Sequence, residues 1–152
     1  MQKRVKKGTN PKAEKQIKVS ERVGIYHLYP KWSFIKCDMQ HEKWGIFNNT
    51  EHLGHMLARF KEWERVTWEN ILTTTSGRKY NTQSHPMQVD ILDKEVAKRL
   101  IELNLDSYDV LYSLSITGRL RVWGIMIEET GTFELLWIDP DHQIYSVEKR
   151  AT

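Results

Sequence analysis

The fold is decided by residues 109–145, DVLYSLSITGRLRVWGIMIEETGTFELLWIDPDHQIY, in which three apolar segments alternate with short polar ones. The apolar segments are rich in β-branched and aromatic residues, which favour strands. The separators, TGR at 117–119 and ETGT at 129–132, contain the glycines that tight turns use. The sequence therefore predicts two successive hairpins, which together form an antiparallel β-meander.

Helical patterns lie upstream of this meander. Apolar residues at 53, 56, 57, 60 and 63 repeat with the three- and four-residue spacing of one helix face. A second short helix is predicted after Thr67, and a third over residues 94–103, capped by Asp93. We expect an α+β fold in which two to three helices pack on one face of an antiparallel sheet, with the C-terminal meander in the middle of that sheet.

The remaining segments of the body are less regular. Residues 23–39 favour strands but are interrupted by Pro30, which predicts two short strands or one kinked edge strand. Residues 38–52 read as a loop, with Asn49 or Thr50 available to cap the next helix. Residues 73–86 form a long polar linker, and 87–92 alternate like a short strand.

The charge of the chain is unevenly distributed. Residues 1–18 hold seven basic side chains and one acidic one, a balance of +6. Since the whole chain carries +3, the rest carries −3. We expect residues 1–18 to be a disordered basic tail, because they have too few apolar side chains to build a core, and residues 19–152 to be a single domain.

Several protein classes are disfavoured by what the sequence lacks. No apolar run approaches the length of a membrane span, and the single cysteine, Cys37, cannot form an intramolecular disulfide, so a cytoplasmic location is expected. No phosphate-binding glycine loop, GxSxG or CxxC motif occurs, and His52 and His55 lack the HExxH context of a zinc site. We expect no cofactor and no metal.

The segment that follows the last predicted strand combines turn formation with possible chemistry. Asp139 and Pro140 are typical of a turn, whereas His142 and Tyr145 could act in proton transfer or be structural. Arg121 alternates with its apolar neighbours, so if its sheet face is covered it needs a partner such as Asp139 or Glu134.

Two further residues complete the candidate set. Arg119 lies in the first turn of the meander, where it is either a solvated charge or a phosphate contact. His85 ends the polar linker just before Pro86, a loop position in which function is common.

The hairpin GRLRVWGIMIEETGTFELLWIDPDHQIY, residues 118–145, resembles the C-terminal hairpin of the RelE/ParE toxin superfamily of small bacterial proteins. The chain is also similar to uncharacterised short bacterial proteins that share a TW-E-I helix (here Thr67, Trp68, Glu69 and Ile71), a mid-chain histidine (His85) and an F-x-x-LWIDP-x-H-x-x-Y ending (Phe133 to Tyr145).

The toxin resemblance implies metal-independent RNA cleavage or inhibition of translation. It makes Arg119 or Arg121 a phosphate contact and His142 or Tyr145 an acid/base group, with His85 as a further participant. It implies RNA or the ribosome and a small antitoxin protein as partners. The acidic body departs from the strongly basic body of the ribosome-directed members.

Two other functions remain open on the same residues. The sheet could bind a protein partner without catalysis, which predicts a large exposed apolar patch. Alternatively, the chain could be a nucleic-acid-binding accessory protein whose only contact is the basic tail. The nucleic-acid contacts expected are Lys3, Arg4, Lys6, Lys7 and Lys12 in the tail and Arg78 and Lys79 in the linker. The oligomeric state is left open.

Overall fold

The computed structural model describes residues 24–73 and 84–145. The described part contains three complete α-helices, named here α1 (Leu53–Trp63), α2 (Trp68–Thr73) and α3 (Lys94–Glu102). Residues 24–26 are also helical, and three short 3-10 helices lie at Ile46–Asn48, Thr50–His52 and Val89–Ile91. The described part also contains five strands: β1 (Lys31–Ser33), β2 (His85–Gln88), β3 (Val110–Thr117), β4 (Leu120–Ile127) and β5 (Thr132–Asp139). The expected disordered tail, and the expected nucleic-acid contacts in the tail and at Arg78 and Lys79, lie outside the described residues.

The five strands form one sheet with the order β1-β5-β4-β3-β2. The α+β class and the meander of β3, β4 and β5 at the centre are confirmed, and each pair within the meander is antiparallel. At the edge, β1 instead pairs in parallel with β5, so the sheet is mixed. Within residues 23–39 the only strand that the structure describes is Lys31–Ser33, directly after Pro30.

The helices lie on both faces of the sheet, not on one as expected. On the first face, α1 and α2 pack through residues such as Phe60 and Trp68 against Leu114 and Val122. On the second face, α3 packs against Leu111, Trp123 and Trp137. Strands β3, β4 and β5 are therefore buried on both sides, which explains why they read as nearly continuous apolar runs.

A bulge in β5 changes which side chains face each helix layer. The register with β4 shifts between Trp123 and Gly124, where Trp137 and Leu135 are the successive partners, so Leu136 is the extra residue. Gly124 is required at this position, because a Cβ atom there would collide with the Glu134 carbonyl and the Phe133 ring. Because of the bulge, Leu136 and Trp137 both join the cluster under α3.

The cap of α3 and the two hairpin turns are as predicted, whereas the predicted capping bond of Asn49 is not formed. Asp93 caps α3 by accepting a hydrogen bond from the Glu95 N–H, as predicted. Gly118 and Gly131 have positive φ angles in the two hairpin turns. Asn49, in contrast, makes no capping bond; its amide donates to the Lys43 and Gly45 carbonyls and so folds the preceding loop.

Candidate functional site

Arg121 lies on β4 directly opposite Asp139 of β5, on the face that α3 covers. The residue is only 7% exposed, and its Nη1 donates to the Gly118 carbonyl at 2.7 Å. Its register partner across the strand pair is Asp139, one of the two acidic residues that the sequence suggested, and its guanidinium donates to the Gly118 and Leu120 carbonyls. The guanidinium thereby holds the β3–β4 turn against the sheet.

Asp139 is fully buried and shapes the turn that follows β5. Its two carboxylate oxygens accept from the backbone N–H groups of Gln143 and Ile144, each at 2.9 Å. Burial raises the pKa of Asp139, and those two hydrogen bonds oppose the rise. Asp139 therefore caps the turn through residues 140–144, which is the structural role that the sequence indicated first.

His142 sits in this turn with a positive φ of 58° and is buried. Beside it, Arg119 is exposed and donates from Nη2 to the Asp141 carbonyl at 3.0 Å. The structure thus brings Arg119, Arg121 and His142 to one corner of the sheet, where the β3–β4 turn meets the turn after β5. Of the three, Arg119 is the one exposed to solvent.

The other two candidates are not part of that corner. His85 is on the edge strand β2, opposite Ser113 of β3. Since β2 and β5 are separated by two strands, His85 is about 14 Å from β5 at the usual strand spacing. Tyr145 is half-buried and packs against the apolar cluster under α3.

A second polar cluster lies at the opposite edge of β5, and sequence reasoning did not single it out. Asp38 is buried there and accepts two hydrogen bonds from Arg99 of α3, from Nε at 2.8 Å and from Nη2 at 2.9 Å. The Trp137 indole N–H also donates to Asp38, at 2.8 Å. Burial alone would raise the pKa of Asp38, but hydrogen bonds from Arg99, Trp137 and the Gln40 N–H lower it to about 2.

His41 continues this cluster towards the start of α3. Its Nδ1 accepts from the backbone N–H groups of Lys43 and Trp44, each at 3.1 Å, so Nε2 carries the proton and donates to Glu95 at 2.9 Å. The Glu95 carboxylate also pairs with the Lys43 ammonium at 3.1 Å. The His41 ring lies flat on the Trp44 indole, with centroids 4.5 Å apart.

Together these contacts fasten one segment, residues 34–49, which we call the edge loop, to α3 and β5. The loop also bonds to β5 through the backbone, from Asp38 N to Leu136 O at 3.0 Å and from Ile138 N to Trp44 O at 3.0 Å. A sequence signal for this arrangement exists in Glu95 and Arg99, which lie four residues apart and so project from one face of α3. Their partners in a loop about 60 residues away could not be read from spacing.

The edge loop exposes large apolar side chains. Phe34, Ile35, Met39 and Phe47 are all exposed, Ile35 by 82% and Phe47 by 63%, and we call these four residues the apolar surface. Backbone pairing places two of them side by side, since Phe47 N donates to Met39 O at 3.0 Å. Lys36, which lies between Ile35 and Met39 in the sequence, pairs with Glu134 of β5 at 2.7 Å.

Comparison of the chain with protein-family models, curated proteins and solved structures finds no match. Among residues 24–73 and 84–145, no helix is long and apolar enough to cross a membrane. Over the same residues, no group of three histidine, cysteine, aspartate or glutamate side chains is placed to hold a metal ion.

Proposed function

We propose that this protein is a non-catalytic interaction module that binds a protein partner through the apolar surface of Phe34, Ile35, Met39 and Phe47. The observation that carries the proposal is the exposure of four large apolar side chains on one short segment. Single exposed apolar residues are common on soluble proteins, whereas groups of them indicate an interaction surface. This surface lies at the sheet edge, because the edge loop bonds to the backbone of β5 on the side away from β4.

The way the edge loop is held supports this proposal. Arg99 and Trp137 hold Asp38, and Glu95 holds His41, so the apolar side chains project from a backbone that is fixed before any partner arrives. A surface ordered in advance loses less conformational entropy on binding.

The partner's chemistry follows from the charges around the surface. The two lysines of the edge loop are paired, Lys36 with Glu134 and Lys43 with Glu95, and the four surface side chains are uncharged. The matching surface is therefore an uncharged apolar face, such as one side of an amphipathic helix. A cytoplasmic location is part of the proposal, and the single half-buried cysteine is compatible with it.

Photo-crosslinking tests the proposal. Benzoylphenylalanine replaces Phe47 in one variant and Leu57 in another; Leu57, on α1 and outside the edge loop, is similarly exposed and serves as the matched control. We expect a discrete adduct from position 47 alone. The partner identified from that adduct, once purified, should bind the wild-type protein and should bind Phe47→Ser with at least about tenfold lower affinity. Adducts of equal yield from both positions, or adducts only with a second copy of the chain, would contradict the proposal.

RNA cleavage in a toxin–antitoxin system is the second candidate, and the corner formed by Arg119, Arg121 and His142 favours it. Arg119 is exposed at this corner, where its guanidinium could contact a phosphate. The same guanidinium donates to the carbonyl of Asp141, the residue directly before His142. Induced expression should then arrest growth, and Arg119→Ala, which removes an exposed side chain, should relieve the arrest while the far-ultraviolet circular dichroism is unchanged. A wild type that does not slow growth would exclude this candidate.

A further inference from the structure

The five sulfur-bearing side chains that the structure describes differ in their exposure to solvent. Met56 and Met126 are buried in the core cluster on the face that α1 and α2 cover. Met87 and Cys37 are half-buried, each packed against one of the two core clusters. Among these five residues only Met39 is exposed, by 40%, and it belongs to the apolar surface. An oxidant in solvent therefore reaches Met39 more readily than the other four.

The Cys37 thiol competes poorly for the same oxidants. The thiolate is the form of cysteine that reacts with peroxides, and burial raises the pKa of Cys37 to about 11. Near neutral pH this thiol therefore stays protonated. A thioether has no such proton to lose, so access alone decides its reaction, and access favours Met39.

The backbone around Met39 is held without the help of its side chain. Asp38 accepts hydrogen bonds from the N–H groups of Gln40 and His41, each at 3.2 Å. The Met39 carbonyl accepts from Phe47 N at 3.0 Å. None of these three bonds uses the Met39 side chain, so that side chain can be modified without loosening the edge loop.

Oxidation would change the apolar surface where two of its side chains meet. Met39 lies beside Phe47, because their backbones are hydrogen-bonded to each other. A sulfoxide replaces the apolar thioether by a polar S–O group. Docking against an uncharged apolar face would then bury that oxygen without a hydrogen-bond donor, which costs free energy. A partner that binds the thioether form should therefore bind the sulfoxide form weakly.

We propose that Met39 is a reversible oxidation site that controls partner binding by the apolar surface, an inference that rests on the function proposed above. In the forward step the sulfur lone pair attacks hydrogen peroxide. An S–O bond forms, the O–O bond breaks, and the hydroxide that leaves takes the proton of the transferred oxygen and becomes water. In the reverse step two thiols reduce the sulfoxide to the thioether and yield a disulfide and water, which is the chemistry of methionine sulfoxide reductases.

Peptide mass spectrometry of the full chain after exposure to hydrogen peroxide tests the chemical step without a partner. We expect Met39 to oxidise at least about tenfold faster than Met56 and Met126. Protein oxidised in this way should unfold at the same urea concentration as peroxide-treated Met39→Leu, because the anchors of the edge loop are unchanged. Oxidation of Met39 no faster than that of the two buried methionines, or a lower urea midpoint, would overturn this inference and leave the proposed function untouched.

Photo-crosslinking tests the effect on binding. Benzoylphenylalanine replaces Ile35, the most exposed residue of the apolar surface, in the wild-type and Met39→Leu backgrounds. Each protein is irradiated in cell extract before and after peroxide treatment, with the peroxide removed. We expect oxidation to lower the adduct yield of the wild type at least about fivefold and to leave that of Met39→Leu unchanged. Methionine sulfoxide reductases with a dithiol should restore the wild-type yield, and Met39→Gln, which is permanently polar, should give a low yield throughout.

The outcomes of the crosslinking experiment separate this inference from the proposed function. A wild-type yield that peroxide does not change, or a yield that falls equally in Met39→Leu, would overturn the role of Met39 while the proposed function stands. Absence of an adduct from the untreated wild type would overturn the proposed function and this inference with it.

Discussion

The pairing of Asp38 with Arg99 should contribute a large share of the stability that anchors the edge loop. Asp38 is almost fully buried, and its side chain holds a charge because Arg99 donates two hydrogen bonds to it. Replacing Arg99 by Met keeps the aliphatic stem on α3 but leaves a buried carboxylate with only the Trp137 and backbone N–H donors. Removing one member of a buried pair in this way is costly.

The size of the effect follows from the pKa. Folding lowers the pKa of Asp38 from 3.8 to about 2. At about 1.4 kcal/mol per unit, this corresponds to roughly 2 to 3 kcal/mol of preferential stabilisation of the charged form. Arg99 supplies the largest favourable part of this shift, so Arg99→Met should lower the free energy of unfolding by about 2 kcal/mol.

Urea denaturation followed by tryptophan fluorescence measures this loss, and Glu102→Gln is the matched control. Glu102 pairs with the same guanidinium at 2.8 Å, but its side chain is about half exposed, so its loss should cost less than about 0.5 kcal/mol. If Arg99→Met unfolds at the wild-type urea concentration, or if the two variants lose the same stability, the reasoning about Asp38 is wrong.

The pH dependence gives an independent signature of the same pair. Because the folded pKa of Asp38 lies below the unfolded one, its contribution is complete above about pH 4 and is lost as the pH falls towards 2. Stability profiles of wild type and Arg99→Met should therefore converge at acid pH. Parallel profiles down to pH 2 would contradict this account.

Three further predictions concern other positions. Gly124→Ala should destabilise the protein by more than about 2 kcal/mol in the same urea assay, since the new Cβ meets the Glu134 carbonyl at the β5 bulge, and a loss under 0.5 kcal/mol would refute this. Asp139→Ala should cost about 2 kcal/mol and speed amide exchange at Gln143 and Ile144, and unchanged exchange at both would count against the cap. Cys37, whose pKa burial raises to about 11, should react with iodoacetamide at pH 8 far more slowly in the folded than in the urea-unfolded chain; equal rates would be the contrary result.

The meander could be predicted from sequence because its signals are local. The glycines at 118 and 131 and the three apolar runs act within a few residues of one another, and the observed strands follow them. The placement of the helices on one face was wrong. The nearly continuous apolar runs of β3, β4 and β5 are typical of strands that are buried on both faces, but they do not indicate which helix covers the second face, because that contact joins residues far apart in the chain.

The candidate site was predictable only in part. Turn chemistry correctly indicated that Asp139 caps the turn, and strand alternation correctly placed Arg121 on the sheet face opposite to that of Leu120 and Val122. The cluster around Asp38 was missed because each contact joins residues far apart in the chain, such as Asp38 and Arg99 with a separation of 61. A loop and a helix carry no local pattern that reports their contact.

The parallel pairing of β1 with β5 has a kinetic consequence. Trp32 pairs with Phe133, so the strands that meet at this edge come from nearly opposite ends of the described chain. Such contacts require the closure of a very long loop, whereas the meander closes two short turns, so we expect the meander to form first and β1 with its loop to dock last. Until they dock, the backbone of β5 is an open strand edge with apolar side chains on both sides. The folding chain is therefore most exposed to aggregation in the interval before docking. Substitutions that delay docking should lower the yield of folded protein more than their effect on the free energy of unfolding indicates.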